Sequence, residues 1–148
     1  MQQAHDLVID GHGIEGQTFS MADIRRLAPQ RLGPTVVKCM TGRMVSESES
    51  FLGVKLTDIL DLTGLRDLHR GELKQCVILA QARDGYRAMF TWLELYNSPV
   101  GPGALVAYER NGQALDGGLG NLCLVSSHDL HLGPRHLRDL CAIRIQKI

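Results

Sequence analysis

The sequence predicts an α+β fold with a mixed, mainly antiparallel sheet built from hairpins and a few short helices. Two observations carry this prediction. The dipeptides Asp84-Gly85 and Asn111-Gly112 each follow an apolar run of strand length, and such dipeptides are strong signals for tight hairpin turns. The helical segments fall irregularly between the strands and do not alternate with them, which argues against repeated βαβ units.

The first half of the chain predicts two short strands, a capped helix, a third strand and a second helix. Ser20 is a typical helix N-cap, and Asp23 follows in the first turn. Gly64 is placed to end the second helix in a left-handed conformation. The predicted elements are strands over residues 7–9 and 17–19, a helix after Ser20, a strand over 35–39, an exposed loop over 46–50, and a helix that begins near Thr57.

The second half predicts two hairpins with a helical turn between them. Residues 76–80 form a continuous apolar run, which is typical of a central strand covered on both faces. The remaining predicted elements are a partner strand over 86–90, a helical turn over 91–96 closed by Pro99 and a loop over 101–103, strands over 104–108 and 122–125, a short helix near 135–140, and a strand over 142–145.

Length and charge restrict the class of protein. With 148 residues the chain fits one domain over residues 1–148, and 16 basic residues balance 16 acidic ones. The sequence therefore provides no basic field for nucleic acid or an anionic membrane. No apolar stretch reaches the roughly 18 residues that a membrane span needs. We expect a soluble protein, cytoplasmic, or periplasmic if a leader has been removed.

A glycine pattern at residues 11–16 matches the dinucleotide-binding string GxGxxG after an apolar strand. In that motif the last glycine lies inside a helix, whereas here residues 17–19 intervene before the cap at Ser20. The next predicted strand also lacks an acidic residue at its end to hold a ribose. We interpret these glycines as a hairpin turn.

Three imidazoles and a carboxylate lie close together in the sequence, at His128, Asp129, His131 and His136. This composition suggests a zinc site. The HxxH spacing has no partner motif, and the competing interpretation is a polar loop that connects the strand over 122–125 to the last helix.

Cys39 closes the β-branched run over residues 35–39 and precedes a loop-like segment. A thiol at the mouth of a strand suits a nucleophile or a soft-metal ligand, because the thiolate does that chemistry beside positive charge, here Lys38 and Arg43. The alternative is a small buried hydrophobic residue, as most free cysteines are. The other cysteines, at 76, 123 and 141, form no CxxC pair and are interpreted as reduced thiols.

Taken in order, the motifs resemble the molybdopterin-binding domain of the sulfite oxidase type of oxidoreductase. They are the strand that ends in Cys39, Phe51-Leu52-Gly53-Val54-Lys55-Leu56 before Asp58-Ile59-Leu60, Ala82-Arg83-Asp84-Gly85-Tyr86, Leu105-Val106-Ala107 before Asn111-Gly112, Gly120-Asn121-Leu122-Cys123-Leu124-Val125 with Asp129, and a basic segment before Ile143-Arg144-Ile145.

The resemblance implies a molybdopterin cofactor whose molybdenum is bound by the sulfur of Cys39. It implies Cys39 and Tyr86 as catalytic residues. The implied cofactor-binding residues are Thr41, Arg43, Asp84, His128, Arg135 and Arg138. Arg135 and Arg138, expected on one helix face, would hold the anionic tail of the cofactor.

Two hypotheses of function follow. In the first, the chain is a small molybdopterin-binding oxidoreductase domain that acts on a small anionic substrate and exchanges electrons with a redox partner protein. In the second, a cofactor-free module keeps the fold and binds a small anion or a partner protein. The second rests on the shortness of the chain and on the single basic residue, Arg43, in the segment 40–43.

Overall fold

The computed structural model describes residues 6–115 and 121–148, which form two five-stranded sheets and several short helices. The strands are β1 (Leu7–Gly11), β2 (Gln17–Phe19), β3 (Gln30–Thr35), β4 (Glu49–Lys55), β5 (Cys76–Ala82), β6 (Arg87–Thr91), β7 (Ala104–Arg110), β8 (Gln113–Ala114), β9 (Cys123–Ser126) and β10 (Leu140–Lys147). The helices are α1 (Met21–Arg25), α2 (Leu56–Asp61), α3 (Arg70–Leu73), α4 (Trp92–Asn97) and α5 (Val100–Gly103), with 3₁₀ turns at Leu65–Asp67 and Gly133–Arg135.

The first sheet has the strand order β2-β1-β10-β5-β6, and the second has the order β3-β4-β7-β8 with β9 also paired to β7. The pair β1 and β10 is parallel, and every other pair is antiparallel. The predicted α+β class is therefore confirmed, with the strands divided between two sheets.

The main core lies where the two sheets face each other. Ile9 and Phe90 of the first sheet are fully buried there with Val106 of the second sheet, and α2 adds further apolar side chains. A smaller core covers the opposite face of the second sheet, where Phe51 and Val125 pack with chain segments that cross the sheet. The second sheet is thus buried on both faces, because successive side chains of a strand point to opposite sides.

The hairpin interpretation of the glycine pattern is confirmed. β1 and β2 pair antiparallel across residues 12–16, and Gly11 and Gly13 adopt positive φ values of 125° and 75°. Ser20 caps α1 in a reciprocal capping box with Asp23, as predicted. Gly64, with φ of 83°, lies in the left-handed region as expected after α2.

The predicted strand over residues 35–39 is wrong. The strand in this region is β3, which ends at Thr35 after an irregularity at Gly33 and Pro34, where its pairing with β4 shifts register. Pro34 cannot donate to a ladder and is tolerated here because β3 is an edge strand. The following residues cross the outer face of the second sheet, where Val37 is buried.

The predicted helix over residues 135–140 is also wrong. A 3₁₀ turn ends at Arg135, Leu137 then bridges to Leu124, and β10 begins at Leu140. The backbone N–H of Leu140 donates to the carbonyl of Leu122, so pairing to the sheet replaces helical hydrogen bonds. Arg135 and Arg138 consequently do not share a helix face.

Three smaller predictions need correction. Residues 101–103 belong to α5 and are not a loop. The Asn111-Gly112 turn leads into β8, while the glycines at 117, 118 and 120, expected in the same connection, lie outside the described residues. β5 is central but not covered on both faces, because Gln81 on its outer side is exposed. Among the described residues, no helix is long and apolar enough to cross a bilayer.

Candidate functional site

Cys39 begins a tight turn that projects from the outer face of the second sheet. Its backbone N–H donates to the carbonyl of Arg43 over 2.9 Å, and its carbonyl accepts from the N–H of Gly42 over 2.8 Å. Gly42 has a φ of 86°, which favours glycine. An antiparallel bridge between Lys38 and Met44 closes the base of the turn. The backbone therefore fixes the position of the thiol although no regular strand carries it.

The side chain of Thr41 lies directly beside this thiol. Its Oγ1 is 2.9 Å from the Sγ of Cys39. Hydrogen bonds from the side chain and the backbone of Thr41 lower the pKa of the Cys39 thiol to about 7. Because this pKa is close to neutral pH, a substantial fraction of the thiol is thiolate there. Cys39 is only half-buried, so the thiolate is accessible.

The 3₁₀ turn near Gly133 supports the Cys39 turn from one side. The N–H of Gly133 donates to the carbonyl of Lys38 over 2.7 Å. A Cβ at position 133 would lie only 2.6 Å from that carbonyl oxygen and 3.2 Å from the Cα of Cys39. Glycine is required here because the two backbones are in direct contact.

A cavity of about 580 Å³ opens beside Cys39. This volume lies within the range of about 300–1,000 Å³ that is typical of small-molecule sites. The wall is mainly apolar, with a few polar groups. The lining residues are Val37, Cys39, Met40, Val45, Ala82, Asp84, Tyr86, Gly133, Pro134, His136, Leu137 and Arg138.

The structure brings four of the predicted site residues to this cavity, namely Cys39, Asp84, Tyr86 and Arg138. The hydroxyl of Tyr86 donates to the carbonyl of Pro134 over 2.6 Å, and its N–H donates to the carboxylate of Asp84 over 2.9 Å. Tyr86 therefore ties the turn after β5 to the 3₁₀ turn that supports Cys39. Arg138 is exposed, and among the described residues it has no ion-pair partner.

Arg135 lies elsewhere and has partners of its own. Its Nη2 and Nε donate to the two carboxylate oxygens of Asp129 over 2.7 and 2.9 Å, and its Nη1 lies 3.3 Å from both oxygens of Glu94. The guanidinium also stacks on Phe90 at 4.2 Å and donates to the carbonyl of Met89. Its donors are thus already used by Asp129 and by Glu94. Because Glu94 belongs to α4, Arg135 links α4 to the 3₁₀ turn.

The other predicted site residues do not line the cavity. Thr41 and Arg43 belong to the Cys39 turn, with Thr41 bonded to the thiol, but neither lines the cavity wall. The Nδ1 of His128 pairs with the carbonyl of Pro99 at 2.7 Å. His128 packs so closely on Gly103 that a Cβ there would meet the imidazole at 2.5 Å.

The zinc hypothesis receives no support from this geometry. Within residues 6–115 and 121–148, no three side chains of the His, Cys, Asp or Glu type gather closely enough to hold a metal ion. His128 contacts α5, while His136 faces β9 through its 3.7 Å contact with Cys123. The interpretation as a connecting polar loop fits the arrangement better.

His136 is a cavity residue that motif reasoning placed only in the zinc hypothesis. Its Nε2 lies 3.7 Å from the Sγ of Cys123, and its ring meets Phe51 edge-on at 6.1 Å. Burial, followed by the charges of Arg138 and Arg110, lowers the pKa of His136 to about 4. Burial raises the pKa of the Cys123 thiol to about 12, so this pair is neutral at physiological pH. The only feature of the sequence that could have indicated a place for His136 in this cavity is its position before a basic segment.

The fold agrees with the comparison to known families. The family model described as oxidoreductase molybdopterin binding domain matches residues 1–121. The match covers most of the chain, and the chain belongs to this family of molybdopterin-binding oxidoreductase domains. Cys39, Asp84 and Tyr86 lie inside the matched range, whereas His136 and Arg138 lie beyond it.

Among solved structures, the chain is similar to the sulfane dehydrogenase SoxCD from Paracoccus pantotrophus. The TM-score is 0.69 at 16% sequence identity, and the alignment covers 97% of this chain but 38% of that one. The likeness shows a shared fold, and the chain spans well under half the length of this neighbour. No curated protein matches the chain.

The donor set around the cavity fits part of a molybdenum cofactor. Cys39 would supply one thiolate, which is a soft metal ligand. Arg138 supplies one cation without a carboxylate partner among the described residues, and the apolar wall suits the body of a ring system.

Proposed function

We propose that this chain binds a molybdopterin cofactor in the cavity beside Cys39 and uses it in an oxidoreductase reaction. The observation that carries the proposal is the half-buried Cys39 thiol, with its lowered pKa, on the wall of the cavity of about 580 Å³. When bound, the cofactor supplies the redox chemistry, and the protein contributes binding, orientation and electrostatics.

Cys39 acts as the metal ligand in this proposal. The Thr41 hydroxyl can donate to the thiolate over 2.9 Å, which favours the deprotonated form that binds metal. The two backbone hydrogen bonds of the turn and the close contact with Gly133 hold the sulfur in one place. A fixed ligand requires little reorganisation on binding.

Arg138 would hold the anionic tail of the cofactor. Its guanidinium lines the cavity, is exposed and lacks a carboxylate partner within the described part of the chain. A guanidinium suits a phosphate because it can donate two parallel hydrogen bonds. Arg135 and His128 would act indirectly, since the first is bound by Asp129 and Glu94 and the second by Pro99.

Tyr86 and Asp84 would form the substrate side of the cavity. Tyr86 is 48% exposed, so its ring is available to a small molecule beside the cofactor, and its hydroxyl position is fixed by Pro134. We expect a small anionic substrate, and an oxidoreductase of this kind also needs a redox partner, for which a protein is the natural candidate.

The test is the molybdenum content of protein made in a host that synthesises the cofactor. Wild-type protein should carry molybdenum near one atom per chain, and Cys39→Ser should carry much less. Cys141→Ser is the matched control, because Cys141 is also half-buried but contacts Gln81 and does not line the cavity. Molybdenum far below stoichiometry in the wild type would instead support the cofactor-free module.

A further inference from the structure

A second cavity, separate from the Cys39 site, lies among the helices. Its volume is about 460 Å³, and its wall includes Arg66, His69, Arg70, Trp92 and Tyr96. None of its lining residues lines the Cys39 cavity. The family relationship and the proposed function assign no role to it.

The polar groups of this cavity are mainly donors. Arg70 is exposed and makes no ion pair or side-chain hydrogen bond among residues 6–115 and 121–148. The Nδ1 of His69 accepts from the N–H of Gly71 over 3.0 Å, so in the neutral ring the proton sits on Nε2, which is left as a donor. Donors of this kind favour the binding of an anion.

Glu72 and Asp61, which interact with these cations, are already engaged. Glu72 pairs with the Nε2 of His12 at 2.7 Å, and that hydrogen bond, with a smaller effect from His69, lowers its pKa. Asp61 accepts from the hydroxyl of Tyr96 over 2.8 Å and pairs with Arg66 at 3.4 Å. Burial, assisted by Asp61, raises the pKa of Tyr96, so its phenol remains a donor to that carboxylate. Asp61 therefore neutralises Arg66 but leaves Arg70 without a counter-ion.

The apolar part of the wall is aromatic. Trp92 and Tyr96 stack on each other with their ring centroids 5.4 Å apart and their planes inclined by 21°. The indole Nε1 of Trp92 is buried and has no hydrogen-bond partner in the described structure. A flat ring offers such a wall a large contact area.

From these contacts we infer that this cavity binds a small molecule that joins a planar ring to a phosphate, as a nucleoside monophosphate does. The phosphate is held by Arg70 and the Nε2 of His69, and the ring lies against Trp92. The site is independent of the molybdenum content of the protein, so it stands or falls separately from the proposed function.

Intrinsic tryptophan fluorescence provides a direct test, because Trp92 is the only tryptophan in the chain. Purified protein is titrated with AMP, with adenosine and with inorganic phosphate, and binding is checked by calorimetry. AMP should produce a saturable change in emission and heat, phosphate should compete with it, and adenosine should bind far more weakly. No saturable AMP binding, or equal binding of adenosine, would overturn the inference.

Variants of surface arginines locate the site. Arg70→Gln should weaken AMP binding roughly tenfold, the effect of losing one charge-assisted hydrogen bond, and Arg70→Lys should recover part of it. Arg87→Gln is the control, since Arg87 is also exposed but lines a different cavity on the first sheet. Circular dichroism confirms that each variant is folded. Unchanged AMP affinity in Arg70→Gln would also overturn the inference.

Discussion

The hydroxyl oxygen of Thr41 lies 2.9 Å from the sulfur of Cys39, two residues earlier in the same turn. The contact links the local backbone to the chemistry of the thiol, because Thr41 is the main cause of its lowered pKa. The side chain that tunes the thiol is thus carried by the turn that positions it.

Replacing Thr41 by Val should raise the pKa of Cys39 from about 7 towards the ordinary thiol value of roughly 8.5. The thiolate fraction at neutral pH should then fall. The measurement is the rate of iodoacetamide alkylation of Cys39 against pH in cofactor-free protein, with the modified residue identified by mass spectrometry. Thr18→Val is the control, because Thr18 is exposed in β2. An identical pH profile in Thr41→Val would refute this role.

Gly133→Ala should disturb the Cys39 turn. A Cβ there would lie 2.6 Å from the carbonyl oxygen of Lys38, so one of the two backbones must move, at a cost of about 1–3 kcal/mol of unfolding free energy. Denaturant unfolding and the alkylation rate of Cys39 should both change. Gly33→Ala is the matched control, since a Cβ at position 33 meets nothing within 4 Å. Equal behaviour of the two variants would contradict the proposed contact.

Arg135→Ala should destabilise the fold by about 2–3 kcal/mol, because Asp129 would lose both donors that hold its carboxylate in a largely buried pair. Denaturant unfolding measures the loss. Arg144→Ala removes an arginine whose pair with Asp10 is exposed, so its effect should stay within about 0.5 kcal/mol. Similar losses in both variants would show that the contacts of Arg135 do not stabilise the fold.

His136 should make stability depend on pH in the acidic range. Its pKa in the folded protein is about 4, whereas an unfolded histidine titrates near about 6.5. Between these values the unfolded state binds more protons, so stability falls as pH decreases, by at most about 3 kcal/mol. His136→Phe should lose this component when unfolding free energies are compared at neutral pH and near the folded pKa. The same pH dependence in both proteins would exclude His136 as its source.

Much of the fold could be predicted because local signals agree with the tertiary structure. The glycines at 11 and 13 form the expected hairpin, and Ser20 caps α1. The strand predicted over residues 35–39 was wrong because β-branched residues favour any half-buried, extended surface, whether or not it is paired in a sheet. Val37 is buried by crossing the outer face of the second sheet, not by pairing within it.

The sequence predicted the main residues of the candidate site but not the contacts that hold them in position. Motif order pointed to Cys39, Asp84, Tyr86 and Arg138, all of which line one cavity. Spacing placed Arg135 beside Arg138, but the chain leaves the 3₁₀ turn between them and Asp129 binds Arg135 instead. The contact of Gly133 with Lys38 joins segments far apart in sequence, and no local pattern reveals it.

X-ray absorption at the molybdenum edge reports whether the sulfur of Cys39 binds molybdenum. Wild-type and Cys39→Ser proteins are compared after reconstitution to measurable metal content. In Cys39→Ser the metal should lose one sulfur neighbour and gain a lighter one or none. The same number of sulfur neighbours in both proteins would contradict it.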